Sequence, residues 1–182
     1  MKKILSSIWE AAKIFLLAAI IVLPIRYFLF QPFFVLGQSM EPSFETGDYL
    51  IIDELSYRFN QPQRGEAVVL KYPADPSQRF IKRIVGLPGE TIEVKDGQVF
   101  IIKDNQETVP DESVYLPLLT ATAGNIKISL AENEYFVLGD NRLFSYDSRR
   151  WGPLPRKNII GRVFFRAWPL TVFARSQAEI TE

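Results

Sequence analysis

Thr91-Ile92-Glu93-Val94-Lys95-Asp96-Gly97-Gln98-Val99-Phe100-Ile101-Ile102 is the stretch on which the fold turns. Two runs rich in β-branched residues flank Asp96-Gly97, a pair suited to the two positive-φ positions of a type I′ turn, so the spacing predicts a hairpin. Other runs of the same kind surround it. Upstream lie residues 49–52, 66–72 and 80–85, the last ended by the turn signal Gly86-Leu87-Pro88-Gly89. Downstream, residues 134–138 and 159–168 complete the set, and within 164–168 alternate residues are expected to face the core. No long helical period appears after residue 36. Residues 103–125 carry two prolines and a glycine and few strand runs, so they are expected to form a peripheral excursion. Many short strands separated by turns predict a mainly β, barrel-like domain, with no repeat or linker that would divide it.

The chain ahead of this domain has a different character. Lys2 and Lys3 precede a mildly amphipathic stretch with Trp9, and residues 14–30 are then almost wholly apolar, with Arg26 near one end. A membrane-spanning helix needs about 20 largely apolar residues, and Arg26 can snorkel to the headgroups. Pro24 would kink such a helix without forbidding it. A cleavable secretory signal fits less well, because bulky residues follow the run where a small-x-small site would be needed. The expectation is therefore an uncleaved anchor over residues 1–31 and an extracytoplasmic domain over 32–182. Lys2, Lys3 and Lys13 against Arg26 place the N-terminus in the cytoplasm, with Phe30, Phe33 and Phe34 at the far interface.

Composition removes several kinds of chemistry. With 21 basic and 21 acidic residues there is no net positive field to attract nucleic acid. The chain has no Cys and no His. It therefore has no thiolate nucleophile, no Ser-His-Asp triad, no HExxH zinc helix and no imidazole titrating near neutral pH. Hydrolysis, if it occurs here, must run on Ser, Thr, Tyr, Lys, Asp or Glu. No metal or cofactor is expected.

Three stretches could carry such chemistry. Ser39 lies in the turn-prone segment Gly37-Gln38-Ser39-Met40-Glu41-Pro42-Ser43-Phe44. A lone serine in a turn is more often surface decoration. Lys82 lies in Phe80-Ile81-Lys82-Arg83-Ile84-Val85, where period-2 alternation sets one cation between apolar neighbours on each face. Taken alone, that strand fits an edge strand protected by lysine slightly better than a buried amine. Gly139-Asp140-Asn141-Arg142-Leu143-Phe144-Ser145-Tyr146-Asp147-Ser148-Arg149-Arg150 packs three arginines and two aspartates into one loop, for which Asp–Arg stapling is a sufficient explanation. A calcium loop fails on spacing. An aspartic-protease pair fails because the arginines would hold both carboxylates ionised.

Together and in this order, the three stretches resemble the conserved boxes of type I signal peptidases, and the anchor and β-rich body fit that family as well. The resemblance implies Ser39 as nucleophile, Lys82 as general base and Ser145 as the hydroxyl that orients the lysine. It implies Asp140, Arg83, Asp147 and Arg149 as charged residues that hold the site together, and the Ser39 N–H as one oxyanion donor. Some members carry a second donor, a serine hydroxyl, where this chain has Gly37. Phe33, Val35, Gly37, Met40, Phe80 and Ile81 fall where the family binds its substrate in small-residue pockets. Glu90 stands where Asp is usual in the Leu-Pro-Gly-Asp box. The implied activity is removal of signal peptides from exported preproteins after small-x-small sites, at a plasma or thylakoid membrane, with membrane lipid and the secretion translocon as further partners. The competing readings are an autoproteolytic Ser-Lys protease and a membrane-tethered β-module without catalysis.

Overall fold

The computed structural model describes residues 8–20, 30–117 and 120–169. A helix, α1, covers residues 8–20, and its apolar side chains, Phe15 and Leu17 among them, are exposed. Among the described residues no helix is long and apolar enough to cross a membrane. The rest of the expected span, residues 21–29, lies outside the described residues.

The domain proper is antiparallel throughout. Its elements in order are β1 (Phe30–Phe34), β2 (Tyr49–Asp53), the short helix α2 (Ser56–Phe59), β3 (Ala67–Tyr72) and β4 (Asp75–Gly86), then β5 (Thr91–Lys95), β6 (Gln98–Lys103), β7 (Gln106–Thr108) and β8 (Ile126–Ser129). β9 (Glu134–Leu138), the short helix α3 (Ser148–Trp151), β10 (Leu154–Pro155), a 3₁₀ turn (Arg156–Asn158) and β11 (Ile159–Trp168) follow. Seven strands form one sheet in the order β1-β2-β11-β3-β4-β9-β10, and four form a second in the order β7-β6-β5-β8. Both orders are open. The mainly β character is as expected, but no closed barrel forms among the described residues, because the chain divides its strands between two sheets and ends the larger one in the two-residue β10.

The predicted hairpin is β5–β6, with Val94 opposite Val99 and positive φ at Asp96 and Gly97. A second hairpin of the same kind, β6–β7, turns through Asp104 and Asn105 at φ 51° and 62°. That turn has no glycine, but Asp and Asn tolerate the left-handed region better than other side chains. β1 escaped the sequence reading because its bulky residues also suit a membrane interface and because Pro32 interrupts it. As an edge strand it accommodates a proline. β11 departs from simple alternation. Bulges between Val163 and Phe165 and between Arg166 and Trp168 leave the neighbours Phe164 and Phe165 both exposed.

Three apolar clusters hold these layers. Val85, Phe136 and Leu138 of the large sheet pack with Ile92, Val94, Val99 and Ile101 of the small one. Gly86 permits that approach, since a Cβ there would lie 2.6 Å from Ile92. A second cluster joins Val68, Leu70, Ile84, Tyr135 and Leu154. The third matters most for the site: Val35, Met40, Leu50, Ile52, Val69 and Ile81 seat the turn that follows β1 on the sheet. Met40 has no exposed surface, and burial of such a side chain contributes roughly 1.5–3 kcal/mol, so it anchors the residue beside it, Ser39.

Candidate active site

Lys82 is not on an edge. β4 runs between β3 and β9, with Val68 opposite Lys82 and Leu138 opposite Arg83. Both cations are buried, Lys82 to 3% exposure and Arg83 to 8%. The edge-strand reading therefore does not hold: β3 and β9 pair with the two edges of β4, whose alternation gave no polar face to expose.

The turn after β1 brings Ser39 to this lysine across 43 residues of chain. Lys82 Nζ donates to Ser39 Oγ at 2.7 Å and to the Ile81 carbonyl at 2.9 Å, and it stands 5.4 Å from the centre of the Phe80 ring. Burial pushes the amine down from its ordinary value to about 8, against the opposing pull of the Asp147 and Asp140 carboxylates. Two turn hydrogen bonds, Glu41 N–H to the Gln38 carbonyl and Phe44 N–H to the Met40 carbonyl, shape the chain around Ser39. Arg166 of β11 braces the far end of that turn by donating to Ser43 O and pairing with Asp48 at 3.0 Å.

The loop from Gly139 to Asp147 closes over the same point. Asn141 N–H donates to the Ser39 carbonyl at 3.1 Å. Gly139 is packed so closely that a Cβ there would lie 2.3 Å from both Ser39 O and Ser145 Oγ. Asp147 has no exposed surface. It accepts from Gly139 N–H at 3.1 Å, caps α3 through Arg149 N–H, and receives the Arg149 guanidinium at 2.8 Å. Asp140 receives Arg83 on both oxygens, and Arg83 also donates to the Gly65 carbonyl. The charged residues expected to hold the site together are thus found around it.

Ser145 is beside the site but does not do what was expected of it. Its Oγ is buried with no hydrogen-bond partner among the described residues, while the lysine donates to Ser39 and Ile81 instead. The expected substrate-contacting residues also divide. Phe33, Val35, Met40 and Ile81 share one apolar cluster, and Val35 and Met40, at 0% exposure, back its wall. Phe80 belongs to the neighbouring cluster and packs on Tyr72 at 5.3 Å. Gly37 faces open space with φ at +93°, a conformation that strains any other residue, and its N–H donates to Thr46 Oγ1 at 3.0 Å. The Ser39 N–H has no acceptor among the described residues.

Several supporting residues were missed by sequence reasoning. Arg142 is buried, donates to the Gly139 carbonyl and to Thr122, and pairs with Glu112. The Tyr115 ring lies 4.0 Å from the Arg83 guanidinium, and its hydroxyl donates to Glu112. Glu112, Tyr115 and Thr122 belong to the 103–125 excursion, so that segment is pinned to the site by an ion pair, a hydrogen bond and a cation–π contact. Arg142 could have been suspected from its place in the arginine-rich loop. Nothing local in the sequence marks the other three. Glu90 is buried, accepts from the Leu87 N–H, and pairs with Arg64 at 2.7 Å, which gives the Pro88-Gly89 turn a fixed shape.

A hydroxyl held against a dry amine, in a domain without imidazole or thiol, is the equipment of an activated-serine hydrolase. The family model described as signal peptidase, peptidase S26, matches residues 8–168. The chain is 37% identical over 171 residues to probable signal peptidase I-2 of Synechocystis, covering 88% of this chain and 73% of that protein. It is 37% identical over 177 residues to signal peptidase I of Leptolyngbya laminosa, covering 91% and 82%. It is also 37% identical over 174 residues to probable thylakoidal processing peptidase 2 of Arabidopsis thaliana, covering 92% of this chain and 46% of that protein. The chain belongs to the signal peptidase, peptidase S26 family.

Proposed function

We propose that this protein removes signal peptides from exported preproteins, with Ser39 as nucleophile and Lys82 as general base. The observation that carries the mechanism is the 2.7 Å contact between Ser39 Oγ and the buried amine of Lys82. While charged, the amine donates to the hydroxyl. Once deprotonated, its lone pair accepts the hydroxyl proton across the same contact, and Ser39 Oγ attacks the scissile carbonyl. The free Ser39 N–H meets the developing oxyanion. The ammonium then returns the proton to the departing amine, leaving an ester on Ser39. A water, deprotonated in turn by Lys82, hydrolyses that ester and regenerates the hydroxyl.

The same reading assigns cleavage after small-x-small sites, with Phe33, Val35, Phe80 and Ile81 limiting side-chain size. It places the domain at the outer face of a plasma or thylakoid membrane, with residues 1–31 as anchor, lipid beside the site and the translocon as supplier of substrate. The family match and the bacterial and thylakoidal names among the relatives support this assignment. The test is processing of one preprotein by the purified chain, wild type beside Ser39→Ala. Cleavage by the wild type alone is expected. Equal cleavage by both would remove Ser39 from the mechanism.

A further inference from the structure

The turn that carries Ser39 borders a cavity that the proposed chemistry does not yet use. It measures about 460 Å³ and is lined by Glu41 and Pro42 on one side, Asn141, Arg142 and Leu143 on another, and Thr120 on the excursion. It starts within two residues of the hydroxyl, because Glu41 and Pro42 follow Ser39-Met40 directly and Asn141 is hydrogen-bonded to the Ser39 carbonyl. Phe33, Val35 and Ile81 form a separate cluster and do not line it. A peptide lying across Ser39 with its acyl side on that cluster would have the cavity available for its other side.

Charge sets the character of this space. Asp140, a buried residue of its lining, is neutralised by Arg83, and Arg142 is neutralised by Glu112. Glu41, a half-buried residue of the same lining, has no ion pair among the described residues. The two paired couples cancel, so the cavity keeps one uncompensated negative charge. The excursion wall is held in place by the Glu112–Arg142 pair and by Tyr115 on Arg83, which makes the cavity a built feature of the fold.

We infer that this cavity receives the residues that follow the scissile bond, and that Glu41 makes it prefer basic over acidic side chains there. The inference rests on the peptidase reading above and adds a specificity determinant to it. A half-buried carboxylate without an ion pair discriminates modestly, by about three- to tenfold between opposite charges, and less as salt rises.

The test uses synthetic peptides with one Ala-x-Ala recognition segment, differing only in Lys or Glu at the first two positions after the cleavage site. Wild-type protein is expected to give a higher kcat/KM on the Lys peptide, with the ratio shrinking at high salt. Glu41→Gln is expected to bring the Lys-to-Glu ratio close to one, and Glu41→Lys to invert it. Each ratio is internal to one variant, so a general loss of activity does not disturb it. If wild type cuts both peptides equally, or if Glu41→Lys leaves the ratio unchanged, the inference is overturned while the peptidase reading stands. If neither peptide is cut by wild type, or if Ser39→Ala cuts as well as wild type, the peptidase reading fails and takes the inference with it.

Discussion

Replacing Lys82 with Met separates what the amine does for the reaction from what it does to the fold. Burial lowers its pKa from 10.5 to about 8. At about 1.4 kcal/mol per pH unit, that lowering means that the folded state carries about 3 kcal/mol against the charged form. The sign follows from proton counting. Between pH 8 and 10.5 the unfolded chain holds the lysine proton and the folded chain does not, so stability rises with pH across that window. Below the window both states are protonated and the penalty is fully present. Above it both are neutral and the penalty is gone. Lys82→Met carries no such penalty at any pH, and it fills nearly the same volume between Val68 and the Phe80 ring. The variant is therefore expected to be inactive yet more stable than wild type at pH 7, by about 1–3 kcal/mol, the attraction to Asp140 and Asp147 being already contained in the lowered pKa. Urea unfolding of both proteins at pH 7 and pH 10.5 measures this. The advantage of the variant should shrink toward zero at the higher pH. A constant difference between the two, or a variant less stable at pH 7, would show that the amine is not desolvated and would refute the argument for its reactivity.

The other predictions concern neighbours of that pair. Preprotein cleavage by wild type should rise about tenfold between pH 7 and pH 9 as a group with pKa about 8 loses its proton, and a flat profile would exclude Lys82 as the base. Asp140→Ala strands the buried Arg83 guanidinium and is expected to cost about 3–5 kcal/mol in thermal or urea unfolding, much more than an exposed ion pair would. Gly139→Ala drives a Cβ into Ser39 O and Ser145 Oγ, so cleavage should fall at least tenfold while circular dichroism stays that of a folded β domain. Gly97→Ala, at a positive-φ position in the β5–β6 turn of the small sheet, should lower stability by about 1 kcal/mol and leave kcat unchanged.

Short-range pattern determined a large part of this protein. Alternation, turn residues and Asp96-Gly97 specify strands by local sterics, and β5 and β9 occupy the residues read from the chain alone. The absence of His and Cys restricted any hydrolysis to Ser, Thr, Tyr, Lys, Asp or Glu, and the order of three short motifs pointed within that set to Ser39 and Lys82. What the chain did not disclose depends on contacts between distant residues. Whether Lys82 lies on an edge or between β3 and β9 is a matter of strand order, and its amine is dry because the Ser39 turn and the loop after β9 pack over that face of the sheet. The Ser39 contact, the orphaned Ser145 hydroxyl, and the Glu112, Tyr115 and Thr122 brace likewise exist only after the loops have met, because hydrogen bonds and ion pairs depend on separations in space that sequence spacing does not encode. The residue types were local information. The dryness that the proposed base requires was supplied by the tertiary fold.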